Sequence, residues 1–311
     1  MISVIQRSVR YGSRHFSVST PRKNPRLIVE ETEGVRRITL ADPKTRNSLS
    51  LEMLEELLLT KRNYDVDDDI NSYFNYRNSL SLEMLEALHS AVVKTDPALR
   101  CIVLEAEGKV FSAGHNLKEL TQKEGKGHHN RVFDACADLM LGLANLRVPV
   151  VAKVDGVATA AGCQLVASCD IVIATHNSSF STPGGNVGIF CSTPGIPLVR
   201  CVPRKVSAHM LLTGLPITAD EALRAGLVSK VVPQEELDAE TQKVVDAILN
   251  KSSPVITLGK RFMYRQMEMS IEEAYREGSC VMVHNINMKD GQEGINSFIQ
   301  KRKPNWTHEK D

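Results

Sequence analysis

Short blocks of apolar residues recur along this chain, and their period switches repeatedly between that of a strand and that of a helix. The first, "RLIVEETEGVRRITLADP" (26–43), alternates on either side of a Glu33-Gly34 step and predicts two short strands joined by a tight turn. "RCIVLEAEG" (100–108) is a near-continuous apolar run and predicts a buried strand, preceded by an amphipathic helix in "ALHSAVVKTD" and a turn at Pro97. In "NRVFDACADLMLGLANLRVP" (130–149), Val132, Cys136, Leu139, Met140 and Leu143 fall on one helical stripe, and Pro149 stops the helix. "VVAKVDGVATAAGCQLVASCDIVIAT" (150–175) reads as strand, small-residue turn, helix and strand. "SSFSTPGGNVGIFCSTPG" (178–195) reads as a loop broken by glycine and proline. Two helices follow. One is closed by Gly214; the other carries Asp220 and Glu221 in its first turn and runs into a strand. From about Ser253 the chain is helical and amphipathic. Repeated strand–strand–helix units place it in the α/β class.

Two stretches depart from this pattern. Residues 1–29 contain no Asp or Glu. They carry Arg7, Arg10 and Arg14 on one helical face among several serines, which is the signature of a mitochondrial transit peptide covering about residues 1–24. "RNSLSLEMLE" occurs twice, at Arg46–Glu55 and Arg77–Glu86, with no third copy. A solenoid would repeat throughout; two readings stand, a functional insertion or one stretch represented twice, and a perfect ten-residue repeat favours the second. Only one copy can fill the native slot, and residues 56–76 are expected to be an inserted, poorly packed excursion. The core is then expected over 25–252, with a helical region over 253–311.

Bulk properties narrow the function. A net charge of +1 among 311 residues gives no basic face for nucleic acid. No apolar run is long enough for a membrane span. Seven cysteines without a C-x-x-C pair read as free thiols in a reducing compartment, with no metal site. His128-His129 lies in a polar stretch and is expected in a solvated loop.

The candidate chemistry lies where small residues crowd a strand-to-helix junction. Ser112-Ala113-Gly114-His115-Asn116 is one such place and Ala158-Thr159-Ala160-Ala161-Gly162-Cys163 the other. A helix start leaves N–H groups unpaired and partly positive, and small side chains let a ligand atom come close to them. Two such junctions converging on one carbonyl would make an oxyanion hole.

Taken in order, "PKTRNSLS", "FSAGHNLKEL", "VDGVATAAGCQLVASCDIVIAT", "FSTPGGNVGIFCSTPG" and "LLTGLPITADEALRAGLVSKVVP" resemble the crotonase (enoyl-CoA hydratase/isomerase) superfamily. The resemblance implies a spiral of ββα units, a C-terminal helical trimerisation region, and a homotrimer or hexamer in the mitochondrial matrix. It also implies an acyl-CoA thioester as ligand or substrate with no further cofactor. By motif position, the backbone N–H groups of His115 and Ala161 become the two oxyanion donors. Ala113, Gly114 and Gly162 become their surroundings. Asn78, Ser79 and Leu80 become CoA contacts, with Asn47 and Leu49 of the first copy competing for that role.

The hydratases of this family use two glutamates, and both positions differ here. One is Gln164, whose amide cannot usefully exchange a proton near neutral pH. The other is Gly184, with no side chain. Ordinary hydration is therefore not expected. An oxyanion hole alone suits loss of CO₂ from a malonyl-type thioester, which yields the enolate without a base. It also suits thioester hydrolysis, or simple binding in a non-catalytic regulatory protein. The similar decarboxylases carry a tyrosine in the later loop, and 186–192 offers only Cys191 and Ser192. The His115 imidazole either orients a carboxylate or packs at the pocket edge. Glu119 is expected to face solvent, and Asp155 and Asp170 to be structural.

Overall fold

The computed structural model describes residues 27–41 and 98–309. The transit-peptide segment, both copies of the repeat, the excursion between them and residues 78–80 lie outside the described residues.

The chain forms β1 (Leu27–Thr32), β2 (Val35–Leu40), β3 (Cys101–Ala106), β4 (Val110–Ser112), α1 (Gly125–Asn145), β5 (Val150–Val154), β6 (Val157–Thr159), α2 (Ala161–Ala167), β7 (Ile171–Thr175) and β8 (Ser179–Ser181). There follow α3 (Ser192–Cys201), α4 (Arg204–Thr213), β9 (Ile217–Thr218), α5 (Ala219–Ala225), β10 (Lys230–Val232), α6 (Leu237–Leu249), α7 (Ser253–Gln266), α8 (Ile271–Asn287) and α9 (Lys289–Ile299). β1 and β2 turn at Glu33-Gly34, with φ of 51° and 81°, as the Glu-Gly step predicts.

The strands alternate between two sheets. One has the order β1-β2-β3-β5-β7-β10 and is parallel from β2 onward; the other has the order β4-β6-β8-β9. Each pair β3/β4, β5/β6 and β7/β8 sends one strand to each sheet before the chain enters a helix. This is the expected spiral of ββα units. The outcome differs from the sequence reading at 150–175, where the small-residue turn contains a strand of its own, β6. It differs again at 178–195, where the stretch read as a loop contains β8, a 3-10 turn over Pro183–Val187 and the start of α3. Both strands are three residues long, too short for periodicity to register.

The main core lies between the sheets and α1, α2, α3 and α4, around Phe111, Phe180, Leu165, Leu198 and Met210, all fully buried. Every aliphatic residue of the predicted α1 stripe is buried except Met140, which is half-buried. Capping follows the sequence too: Thr218 and Glu221 close a reciprocal capping box on α5, and Gly214 ends α4 in the left-handed region.

One buried ionic network fastens the C-terminal helices to this core. Lys260 of α7 donates to Asp170 at 2.6 Å and to the carbonyls of Leu143 and Val148 at 3.0 Å. Tyr264 donates to the other Asp170 oxygen at 2.7 Å, and the Val150 N–H adds a further bond of 2.7 Å. Burial pushes the Lys260 ammonium below its usual value, with Asp170 opposing. Asp155 is likewise engaged, accepting from Thr175 and Gln234. Beyond the anchor, the C-terminal helices leave Ile271, Tyr275, Met282, Val283, Phe298 and Ile299 exposed.

Candidate active site

The two small-residue junctions meet. Gly114 lies just past the end of β4 with φ of +83°, and a side chain there would come 2.8 Å from both the Ala161 nitrogen and the Ala160 Cβ. Gly162, in the first turn of α2, faces back onto β4: a Cβ on it would lie 2.4 Å from the Ser112 carbonyl oxygen. Each glycine therefore permits one backbone to lie against the other. Ala161 is the first residue of α2, so no carbonyl of the helix lies four residues back to accept its N–H. Ala160 before it has φ of 52° and ψ of −121°, a costly conformation for a residue with a Cβ. The α2 N-terminus is thus held against the β4 exit with backbone strain, and sequence alone gave no sign of it.

Ala113 is half-buried in the turn, and His115 follows half-buried. The His115 ring meets Phe133 of α1 edge-on, with centroids 5.1 Å apart. Its imidazole therefore packs against α1. Asn116 caps the next 3-10 turn, Leu117–Leu120, by accepting the Lys118 N–H at 3.2 Å.

On the other side, Gln164 is buried on α2, with the Cys136 thiol of α1 4.0 Å from its amide oxygen. The loop at Gly184 is closed rather than merely shortened. A Cβ at Gly184 would lie 2.1 Å from the Ile189 carbonyl oxygen and 2.8 Å from the Cys191 sulfur. The Gly184 N–H donates to that sulfur at 3.3 Å, and the Ile189 N–H bonds back to the Gly184 carbonyl at 2.9 Å. The chain has folded over the position where a carboxylate side chain would leave the backbone. Burial raises both the Cys191 and Cys163 thiols, the latter to about 12, so neither is a ready thiolate.

Two expectations are overturned here. Glu119 does not simply face solvent: it is about one-quarter exposed and accepts from the Asn116 amide at 3.2 Å, with His128 facing its other oxygen at 4.0 Å. His128 and His129 are not in a loop; they stand in the first two turns of α1, half-buried. The signal was present, since His128, Val132 and Cys136 continue the helical stripe at four-residue spacing. The Lys/Gly-rich composition masked it. Among the described residues no group of three or more His, Cys, Asp or Glu side chains could hold a metal, and no helix is long and apolar enough to cross a membrane.

A spiral of ββα units whose second sheet presents two glycine-lined junctions to each other is the crotonase architecture. The enoyl-CoA hydratase/isomerase signature matches residues 74–309, and the chain belongs to that family. Among its relatives is a Xenopus laevis protein named enoyl-CoA hydratase domain-containing protein 3, mitochondrial, 52% identical over 91% of this chain and 87% of the relative. The human protein of the same name is 48% identical over 90% of this chain and 82% of its own length. A crystal structure of human enoyl-coenzyme A hydratase domain-containing protein 3 superimposes with a TM-score of 0.78 at 46% identity, covering 91% of this chain and all of that one. An enoyl-CoA hydratase from Mycobacterium smegmatis gives a TM-score of 0.77 at 38% identity, over 91% of this chain and 99% of that one.

Proposed function

We propose that this protein is a mitochondrial acyl-CoA-thioester-binding member of its family that does not hydrate enoyl-CoA. The thioester oxygen sits between the backbone N–H groups of His115 and Ala161, with Ala113, Gly114 and Gly162 allowing its approach. The observation that carries this reading is the contact of the two junctions, in which the Gly114 side-chain position falls 2.8 Å from the Ala161 nitrogen. Two N–H groups aimed at one developing oxyanion are the part of the machinery that stabilises enolates and tetrahedral species. Hydration needs a base and an acid in addition. Gln164 is an amide, and at Gly184 the Ile189 carbonyl and the Cys191 sulfur crowd the space a side chain would need. The mitochondrial names of the relatives and the acid-free, Arg-rich N-terminus support the location. The family match begins at residue 74, just before the second repeat copy, which supports Asn78, Ser79 and Leu80 over Asn47 and Leu49 as CoA contacts. The exposed apolar residues of α8 and α9 support self-association as a homotrimer or hexamer.

A catalytic variant of this reading is decarboxylation of a malonyl-type thioester or thioester hydrolysis through the same donors. Retained donors beside absent carboxylates favour it, because loss of CO₂ leaves the enolate without a base. A non-catalytic regulatory protein is the limit in which only binding survives. One experiment separates them: incubation with enoyl-, saturated and malonyl-type CoA thioesters, read by mass spectrometry for bound ligand and product. Retained thioester without water addition is expected. CO₂ loss or free CoA would establish the enzyme, and water added to an enoyl thioester would overturn the reading of Gln164 and Gly184.

A further inference from the structure

Ser112 is the last residue of β4 and is fully buried. Its hydroxyl oxygen accepts the Gly114 N–H at 3.2 Å, across the turn that follows the strand. That bond fixes the peptide between Ala113 and Gly114. The next peptide, between Gly114 and His115, carries the His115 N–H. Only the φ and ψ of Gly114 separate the fixed peptide from the donor peptide. Gly114 has φ of +83° and no side chain, so its own torsions restrain the donor less than those of any other residue type. Ser112 supplies a restraint that the glycine lacks. The same residue touches the other junction. It is in register with Ala158 of β6. Its carbonyl oxygen and its Cβ lie 2.4 and 2.7 Å from where a side chain on Gly162 would begin. Ser112 thus borders the His115 segment through its hydroxyl and the first turn of α2 through its backbone and Cβ. A buried hydroxyl costs free energy unless it is hydrogen-bonded. An alanine would present the same Cβ to Gly162 without that cost, so packing alone does not call for the oxygen.

We infer that Ser112 is a positioning residue for the oxyanion pair. Its hydroxyl sets the direction of the His115 N–H relative to the Ala161 N–H without touching the thioester. The inference rests on the assignment of His115 and Ala161 as donors. Such groups work only when held to within about 0.5 Å and 10–20° of their productive geometry. Without the hydroxyl, Gly114 turns more freely about its two torsions, and the His115 N–H leaves the line to the oxygen.

The test is binding of octanoyl-CoA isotopically labelled at the thioester carbon, measured by calorimetry and by infrared difference spectroscopy of the bound carbonyl. Hydrogen bonds to a carbonyl oxygen weaken the C=O bond and lower its stretching frequency, so the band reports on the donors directly. Ser112→Ala removes the oxygen and keeps the Cβ that faces Gly162. Its bound carbonyl band is expected to move back toward the frequency of the free thioester. Affinity should fall about threefold, at the low end of one net hydrogen bond. Ser112→Cys, whose sulfur is a weak acceptor, should lie between the two. Ser207 is a similarly buried serine on α4 that donates to the Arg204 carbonyl. Ser207→Ala should lower the melting temperature and leave the band unmoved. A Ser112→Ala band at the wild-type frequency overturns the positioning role and leaves the donors standing. An equal shift in Ser207→Ala would show general loosening and overturns it too. If Ser112→Ala does not fold, Ser112→Cys decides by the same criterion. A wild-type band at the free frequency, or no binding by the wild-type protein, overturns the donor assignment and the role of Ser112 with it.

Discussion

The two halves of the candidate site have gone opposite ways. Where β4 meets α2, glycines at 114 and 162 and a strained Ala160 keep two backbones in contact and leave a helix N-terminus facing the gap. Where β8 meets α3, the chain has closed on itself around Gly184, and a cysteine sulfur and a carbonyl crowd the place of a side chain. A donor site made of backbone survives changes of side chain but not of backbone spacing. An acid–base site made of side chains is lost by single substitutions, after which the loop is free to collapse. A backbone donor pair and a side-chain acid–base pair therefore respond differently to substitution.

The largest expected effect tests whether both halves depend on the same scaffold. Lys260→Ala leaves the buried Asp170 carboxylate without its cation, and should cost about 3–5 kcal/mol of stability. The melting temperature should drop steeply, while thioester affinity measured well below the melt stays unchanged. A selective loss of affinity would place the anchor within the site. Next, Gly162→Ala forces a Cβ to 2.4 Å from the Ser112 oxygen and must separate the junctions. It should lower stability by about 1–3 kcal/mol and weaken thioester binding about tenfold, the loss of one net hydrogen bond to the thioester oxygen. Unchanged binding by the folded variant would show that the two junctions do not hold the thioester.

The acid–base half gives smaller signals. Gln164→Glu with Gly184→Glu supplies both carboxylates on paper, but Gly184→Glu collides with Ile189 and Cys191. We expect a destabilised protein, by about 1–3 kcal/mol, with no hydration of crotonyl-CoA. Hydration in that double variant would show that the loop reopens readily. The smallest effect concerns Cys191 itself. Burial raises its thiol, so it remains protonated at pH 8, whereas Cys280 is exposed. Brief iodoacetamide treatment at pH 8 should label Cys280 and spare Cys191 in a peptide map. Rapid labelling of Cys191 would identify a reactive thiol where the structure shows a packing one.

The sequence by itself determined the class of fold, the β1–β2 hairpin, the α1 stripe, the acidic first turn of α5, the Gly214 cap, and the two small-residue junctions. Each is a local matter of period, capping or turn chemistry, and each reads directly from neighbouring residues. It also put Gln164 and Gly184 where the resemblance implies the family's two glutamates, a reading made from residue identity alone. Only the tertiary structure decided that the junctions touch, since Gly114 and Ala161 are far apart in the chain and their proximity depends on how two sheets interleave. It alone showed that the Gly184 loop has closed, because closure depends on Ile189 and Cys191 rather than on the glycine. It moved His128 and His129 from a loop to a helix because packing against the core outweighed weak local propensity. And it turned Glu119 from a surface acid into the partner of His128, a relation between two polar side chains that hydrophobic periodicity cannot register.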